Sequence, residues 1–196
     1  MRPVPYLTRP VLPAGSLSRT PQPTVPTGDG LVLRPWCAGD APAVHAAFQD
    51  PVMHQWHIRT ADSEEEVRGW ITEWQQGWAH ERNAQWAVAD ETDDRLLGRV
   101  ALREVTLGDG VAEVAYWTTA AARGRGVAAR ATDALARWAL DEIGFQRLEL
   151  THSVANEASC RVALKARFAP EGTKRRALLH SDGWHDMHLH ARVRGD

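Results

Sequence analysis

Residues 113–130, EVAYWTTAAARGRGVAAR, constrain this chain more than any other stretch. An apolar run at 113–118 has the pattern of a strand. It enters a loop holding Arg123, Gly124, Arg125 and Gly126, and helical periodicity begins directly behind. The first N–H groups of a helix have no intrahelical partners, and that end carries roughly half a positive charge. A turn of this kind is an anion cradle made of main chain. The chain is therefore expected to hold a phosphate-bearing ligand here.

The setting of the loop decides which ligand. A first strand is expected at 31–34. A short helix follows, with Asp40 as N-cap and Phe48 as its last residue, ended by Pro51. Ser63-Glu64-Glu65-Glu66 reads as a capping box, and Val67, Trp70, Ile71, Trp74 and Trp78 recur at helical spacing up to about His80. The period then changes to two. Strands are expected at 85–89, 96–105 and 111–118, joined by the short polar turns 92–94 and 108–110, and connections this short join antiparallel neighbours. A helix at 126–142 carries an inner stripe of Val127, Ala131, Leu135 and Trp138, an outer Asp133/Arg137 pair and Gly144 as its cap. Behind it come a strand at 147–151, a helix at 156–167 with Asn156 as N-cap, and a hairpin over 171–193 that turns at Ser181-Asp182-Gly183. The fold class is α/β in the α+β sense: a mixed, mostly antiparallel twisted sheet of about seven strands with flanking helices.

Residues 1–29 stand apart from the domain expected at 30–196. Seven of the 11 prolines lie there, which excludes a helix or a central strand. Val4, Tyr6, Leu7, Val11 and Leu12 give this arm apolar residues, so docking on the body, a dimer contact and disorder all stay open. The net charge of -2 gives no reason to expect a nucleic-acid partner. Cys37 and Cys160 imply no disulfide framework, and a reducing cytoplasm is the expected compartment. No apolar run approaches the ~20 residues that span a bilayer, so no membrane partner is expected. Five of nine tryptophans fall within 56–86. They are either core or the aromatic wall of a substrate pocket.

Gly124-x-Gly126-x-x-Ala129 satisfies the dinucleotide pattern G-x-G-x-x-G/A. The preceding meander argues against that reading, as does the five-residue spacer 118–122, because the dinucleotide turn is tight and opens an alternating series of strands and helices. The Walker pattern fails, since no Gly-Lys-Ser/Thr follows. Arg123-x-x-Gly126-x-Ala128 resembles the Gln/Arg-x-x-Gly-x-Gly/Ala motif of the GNAT acyltransferases. Glu113-Val114-Ala115-Tyr116-Trp117 resembles the strand before that motif. Asn156-Glu157-Ala158-Ser159 is similar to the Asn-x-x-Ser that opens the following helix in the RimJ/RimL-type subgroup. Phe168-Ala169-Pro170-Glu171-Gly172 resembles the start of that subgroup's terminal hairpin, and Leu31-Val32-Leu33-Arg34-Pro35-Trp36 its first strand. Together these cover about residues 30–193. Two positions depart from the pattern: Ala115 where glycine is common, and Arg167 where a residue with positive φ usually stands.

The resemblance implies an N-acetyltransferase that takes acetyl-CoA as co-substrate and moves the acetyl group to a primary amine in a ternary complex. It implies a pyrophosphate on the N–H groups of Arg125, Gly126, Val127, Ala128 and Ala129, with Gly124 in the same turn. Arg123, Arg125 and Arg130 would pair with phosphate oxygens. Main-chain groups near Trp117 and Thr118 would hold the pantetheine arm, with Asn156 on its other side. Glu113 would act as base toward the amine, with Glu104 in reserve, and Ser159 would hydrogen-bond the leaving thiolate. A homodimer is common in the subgroup. A non-catalytic acyl-CoA-binding or regulatory protein of the same fold is the alternative. The acceptor, a peptide N-terminus or a small amine, is not legible. Its specificity is expected to reside in the helical pair at 40–80. Nine histidines include His54/His57 and His185/His188/His190 spacings, but no acidic or cysteine partner in the sequence pattern completes a metal site. No metal is expected, and no His–Asp arrangement is expected to make Cys160 a nucleophile.

Overall fold

The computed structural model describes residues 8–57 and 59–196. Its centre is one eight-stranded sheet. The strands are β1 (Val25–Pro26), β2 (Leu31–Pro35), β3 (Ala84–Asp90), β4 (Leu96–Thr106), β5 (Val111–Thr118), β6 (Arg147–Ser153), β7 (Ala169–His180) and β8 (Gly183–Val193). Their spatial order is β1-β2-β3-β4-β5-β6-β8-β7. All neighbours are antiparallel except β5 and β6, which pair in parallel only over residues 111–113 and 147–149. Beyond that point the two strands diverge, and the divergence opens the middle of the sheet.

The helices are α1 (Ala41–Phe48), α2 (Pro51–Trp56), α3 (Glu64–Ala79), α4 (Val127–Arg137) and α5 (Glu157–Lys165). Pro51 does more than end α1. It occupies the first turn of α2, where its missing N–H costs nothing, and the Asp50 side chain caps Val52 N. Asp40 sits at the N-cap of α1 without capping it. Its carboxylate instead takes both Nη atoms of Arg34, at 2.9 and 2.8 Å, and Cys37 N at 3.0 Å. Ser63 caps α3 as expected, through Glu66 N at 3.2 Å. Beyond α4 the chain continues as one π-helical stretch, Trp138–Ile143, closed by Gly144 at φ 96.

Two cores lie on opposite faces. The larger places α4 and α5 over Leu33, Trp86, Val100, Leu102, Val114, Leu148 and Leu150. The smaller, under α1 and α3, gathers Trp36, Phe48, Trp70, Trp74 and Trp117. Of the five clustered tryptophans, Trp78 and Trp86 belong to the larger core and Trp70 and Trp74 to the smaller, whereas Trp56 is half-buried; Trp56, Trp70 and Trp74 line cavities. The eighth strand comes from the proline-rich segment. Leu12, Leu17 and Val25 are buried in the larger core. Glu81 holds Gly15 N and Leu17 N at 2.6 and 2.7 Å. The indoles of Trp78 and Trp86 donate to Thr20 O and Pro23 O. β1 lies at the sheet edge, a strand position that tolerates proline. Val4, Tyr6 and Leu7 lie outside the described residues.

Candidate active site

Between β5 and α4 the chain makes the cradle anticipated from its glycines. Gly124 and Gly126 both take the left-handed conformation, at φ 73 and 75. A Cβ at Gly124 would meet nothing within 4 Å, and one at Gly126 would only approach Arg130 Nε at 4.0 Å. These glycines are required by backbone conformation rather than by crowding within the chain. Gly126 is the N-cap of α4 and no side chain caps it, so the first N–H groups of α4 face away from the helix with their charge uncompensated. Gly98 has a different reason: a Cβ there would lie 2.3 Å from Trp117 O, so its absence lets β4 and β5 close up beside the opening.

A cavity of about 390 Å³ runs from this cradle past the end of β5 to the first turns of α5. It brings together Trp117, Thr118, Arg123, Gly124, Gly126, Val127, Ala128, Ala129, Asn156 and Ser159. Asn156 caps α5, its Oδ1 accepting from Ser159 N at 3.0 Å, and both side chains reach the lining. Arg125 and Arg130 are not on the lining. Arg130 instead binds the proline-rich segment, with Asp29 Oδ1 at 3.2 Å and Asp29 O at 3.1 Å. Arg123 reaches the cavity but is tied to Asp50 at 2.6 Å, which joins the cradle to the cap of α2. The cation pair that faces the cradle was not anticipated: Arg161 and Lys165, one turn apart on α5. Their i,i+4 spacing was visible in the sequence, but nothing local indicated that α5 turns this face to the α4 N-terminus.

Tyr116 also lines the cavity. Its hydroxyl donates to Ser159 O at 3.4 Å, and burial pushes its pKa up to about 12, so it stays a neutral donor. Glu113 is not on the lining. It stands where β5 and β6 part, bonded by Thr151 Oγ1 and paired with Arg103 at 3.5 Å. A Ser–His–Asp row does exist, Ser153 Oγ to His185 Nδ1 at 2.7 Å and His185 Nε2 to Asp182 at 2.8 Å. It does not contain Cys160, and its serine is buried away from both cavities.

A second cavity, of about 560 Å³, lies under α1 and α3. His57 lines both cavities. Burial, together with Arg99 and Arg103, holds its imidazole neutral by pushing its pKa down to about 4. Arg59, Arg82, Arg99 and Arg103 face Glu73 and Glu104 across aromatic walls of Trp70 and Trp74. Glu104 reaches this lining because β4 bulges between Arg103 and Thr106, with Glu104 at φ 48. Arg99 lies over the Trp74 ring at 5.5 Å. Its Nε is buried and has no hydrogen-bond partner among the described residues. Burial beside Arg103 and Arg59 pushes its pKa down to about 9.

A diverging parallel strand pair, a main-chain anion cradle and an adjoining second cavity define the class of transferases that hold an acyl-CoA in the opening of a sheet. The match to known proteins names the family. Residues 30–169 match the model described as acetyltransferase (GNAT) domain, and the chain belongs to that family. The Probable N-acetyltransferase YjcK of Bacillus subtilis (strain 168) is 28% identical over 127 residues, 64% of this chain and 70% of that protein. A RimL ribosomal L7/L12 alpha-N-protein acetyltransferase solved with coenzyme A superposes with TM-score 0.81 at 20% identity, over 87% of this chain and 98% of that one. The microcin C7 self-immunity acetyltransferase MccE, solved with acetyl-CoA and AMP, gives 0.78 at 17% identity, over 85% and 94%. The chain is an acetyl-CoA-dependent N-acetyltransferase, and the cradle, the cavity and the free α4 N-terminus fit that co-substrate. No described helix is long and apolar enough to cross a membrane.

Proposed function

We propose that this enzyme acetylates a primary amine that carries a negative group close by, and that the amine enters through the second cavity. The observation that carries this reading is the excess of guanidinium on that lining, four arginines against two glutamates, with the Arg99 Nε left unpartnered. A buried cation without a partner is costly, and an anionic substrate group relieves that cost. Acetyl-CoA supplies the acyl group as a reactive thioester. The α4 N-terminus, Arg123, Arg161 and Lys165 hold its phosphates, while Trp117, Thr118 and Asn156 hold the arm that leads to Ser159. Ser159 donates a hydrogen bond to the departing sulfur, with the Tyr116 phenol beside it. His57, neutral at the junction, accepts from the incoming amine and aligns it. Glu113 takes up the amine's proton through water, its carboxylate fixed by Thr151 and Arg103.

The negative group could belong to a free amino acid or to the first residues of an acidic peptide. The RimL neighbour lends support to a peptide and the bounded cavity volume to a small molecule. Thiol release from acetyl-CoA, measured against free amino acids, acidic and basic N-terminal peptides and simple alkyl amines, separates these sources. Anionic acceptors are expected to lead, and a preference for uncharged or cationic amines would refute the reading. Ser159→Ala and Glu113→Gln are each expected to lower kcat by about 10²-fold or more with little change in CoA affinity. Unchanged turnover in both would remove their assigned roles. A homodimer is supported by Leu178, Leu179 and Trp184, exposed together at the end of the β7–β8 hairpin, and light scattering of the eluting peak tests it.

A further inference from the structure

On the face of the sheet under α5, four side chains from three separate elements converge: His152 of β6, His188 and His190 of β8, and Cys160 of α5. One potential ligand atom from each lies within 4.8 Å of the other three. His152 and His190 are buried, and Cys160 and His188 are half-buried. The sequence pattern left the His188/His190 spacing without a cysteine or acidic partner. The fold supplies that partner by laying α5 across the strands.

The two buried imidazoles make one contact more than their protons can serve. His152 Nδ1 lies 2.8 Å from Ser153 O, and His190 Nδ1 lies 3.4 Å from Phe168 O. A carbonyl oxygen only accepts, so each Nδ1 must carry the proton. That leaves both Nε2 atoms as bare lone pairs, yet they face each other at 3.2 Å. Three contacts need three protons, and two neutral imidazoles bring two. Moving either proton to Nε2 sets a lone pair against a carbonyl. A histidine that donates Nδ1–H to a backbone carbonyl and presents Nε2 is how proteins orient imidazole toward a metal. In a tetrahedral zinc site with Zn–N of about 2.0–2.1 Å, neighbouring ligand nitrogens sit roughly 3.3 Å apart, close to the observed separation.

We propose that His152, Cys160, His188 and His190 form a structural zinc site. Three imidazoles and one thiolate are a donor set for a borderline-soft divalent ion. Zinc binds as Cys160 loses its thiol proton to solvent, and no oxidation or reduction occurs. All four positions are taken by protein, so the site is closed and takes no part in acetyl transfer. Its effect is mechanical: the ion clips α5, which carries Asn156 and Ser159, to β6 and to β8 of the terminal hairpin. The site does not rest on the proposed acceptor and can be tested apart from activity.

The experiment uses full-length, tag-free enzyme kept reduced with a non-chelating phosphine. Wild type is expected to bind one zinc per chain, measured by elemental analysis after removal and back-titration, and to melt several degrees higher with zinc than without. Replacement by cobalt should give tetrahedral visible bands and a near-ultraviolet thiolate-to-cobalt band. That band should persist in Cys37→Ser, since Cys37 is exposed and not among the four ligands, and vanish in Cys160→Ser. His188→Gln alters a half-buried ligand and should keep the fold while weakening zinc binding by at least about 100-fold. The proposal is overturned if reduced wild type takes up no zinc or cobalt at micromolar concentration. It is equally overturned if the thiolate band survives Cys160→Ser, or if the His152–His190 pair shows an imidazolium nitrogen resonance that zinc does not change.

Discussion

The two cavities that meet at His57 are built from different materials. The first addresses its ligand with main chain: two left-handed glycines and the open end of α4, with Arg161 and Lys165 added from α5. The second addresses its ligand with side chains, arginines set among tryptophans, carried by α3, β3, β4 and the turns near them. A main-chain cradle depends on backbone conformation and tolerates change in its side chains, so alanine at 128 and 129 serves as well as any small residue. A side-chain cavity can be re-specified one residue at a time, and its charges make it responsive to pH and salt. The cradle fits the co-substrate of the family, and in the proposed reading the arginine cavity selects the amine.

The comparison can be broken most forcefully at Gly126. A β-branched residue at φ 75 costs about 1–3 kcal/mol. Gly126→Val is therefore expected to weaken acetyl-CoA binding by about 10–100-fold in calorimetry and to leave acceptor preference unchanged. Equal loss for both ligands would mean that the cavities are not independent. Next in size is Arg99→Met, which keeps the packing on Trp74 and removes the charge. The KM for an anionic acceptor should rise by about 10-fold or more while CoA affinity stays within about twofold, a split read from steady-state kinetics.

A pH test sharpens the same contrast. Burial and then Arg99 and Arg103 push the His57 pKa down from 6.5 to about 4. The unfolded chain takes up that proton near pH 6.5 and the folded chain only near pH 4, so across this window the unfolded state binds more protons. His57 therefore makes stability fall as pH drops from about 6.5 toward 4. His57→Asn should remove a difference on the order of 2 kcal/mol between melts at pH 7 and pH 4.5, allowing for partial exposure. An identical pH slope in the variant would show that His57 is not held neutral by its surroundings. The smallest effect is expected away from both cavities. Arg167 takes φ 64, a conformation unfavourable for an L side chain. Arg167→Gly is expected to stabilise the fold by up to ~1 kcal/mol in denaturant melts, with kinetics unchanged.

Much of the first cavity was legible because its signals are local. Gly124, Gly126 and Asn156 act within a few residues of themselves, as turn formers and as a cap, and the meander that ruled out a dinucleotide fold follows from short turns. Other readings missed partners that are not local. Arg130, expected to pair with phosphate, lies off the cavity lining and pairs with Asp29, about a hundred residues away in sequence. Asp40 looked like a helix cap, but Arg34 on the neighbouring strand binds its carboxylate more strongly than helix N–H groups do. Pro51 was read only as a stop, although the same missing N–H also suits a helix start. The second cavity was legible only in part: the helical pair at 40–80 and its tryptophans were singled out, but the arginines were not. Its arginines come from segments with no common motif, and one of its carboxylates is aimed by a bulge that the alternating pattern of β4 conceals.

The sequence alone determined the order and kind of the elements apart from β1 and α2, the glycine turn before α4, and the resemblance to a family that anchors its co-substrate there. These follow from interactions between residues a few positions apart, and periodicity and cap chemistry record such interactions directly. Tertiary structure decided which side chains face one another: Arg161 and Lys165 across from the cradle, four arginines around one cavity, and Cys160 over three histidines. The reason is geometric. A one-residue slip in strand register, or a rotation of α5 about its axis, would leave every local pattern intact and disperse all three groups.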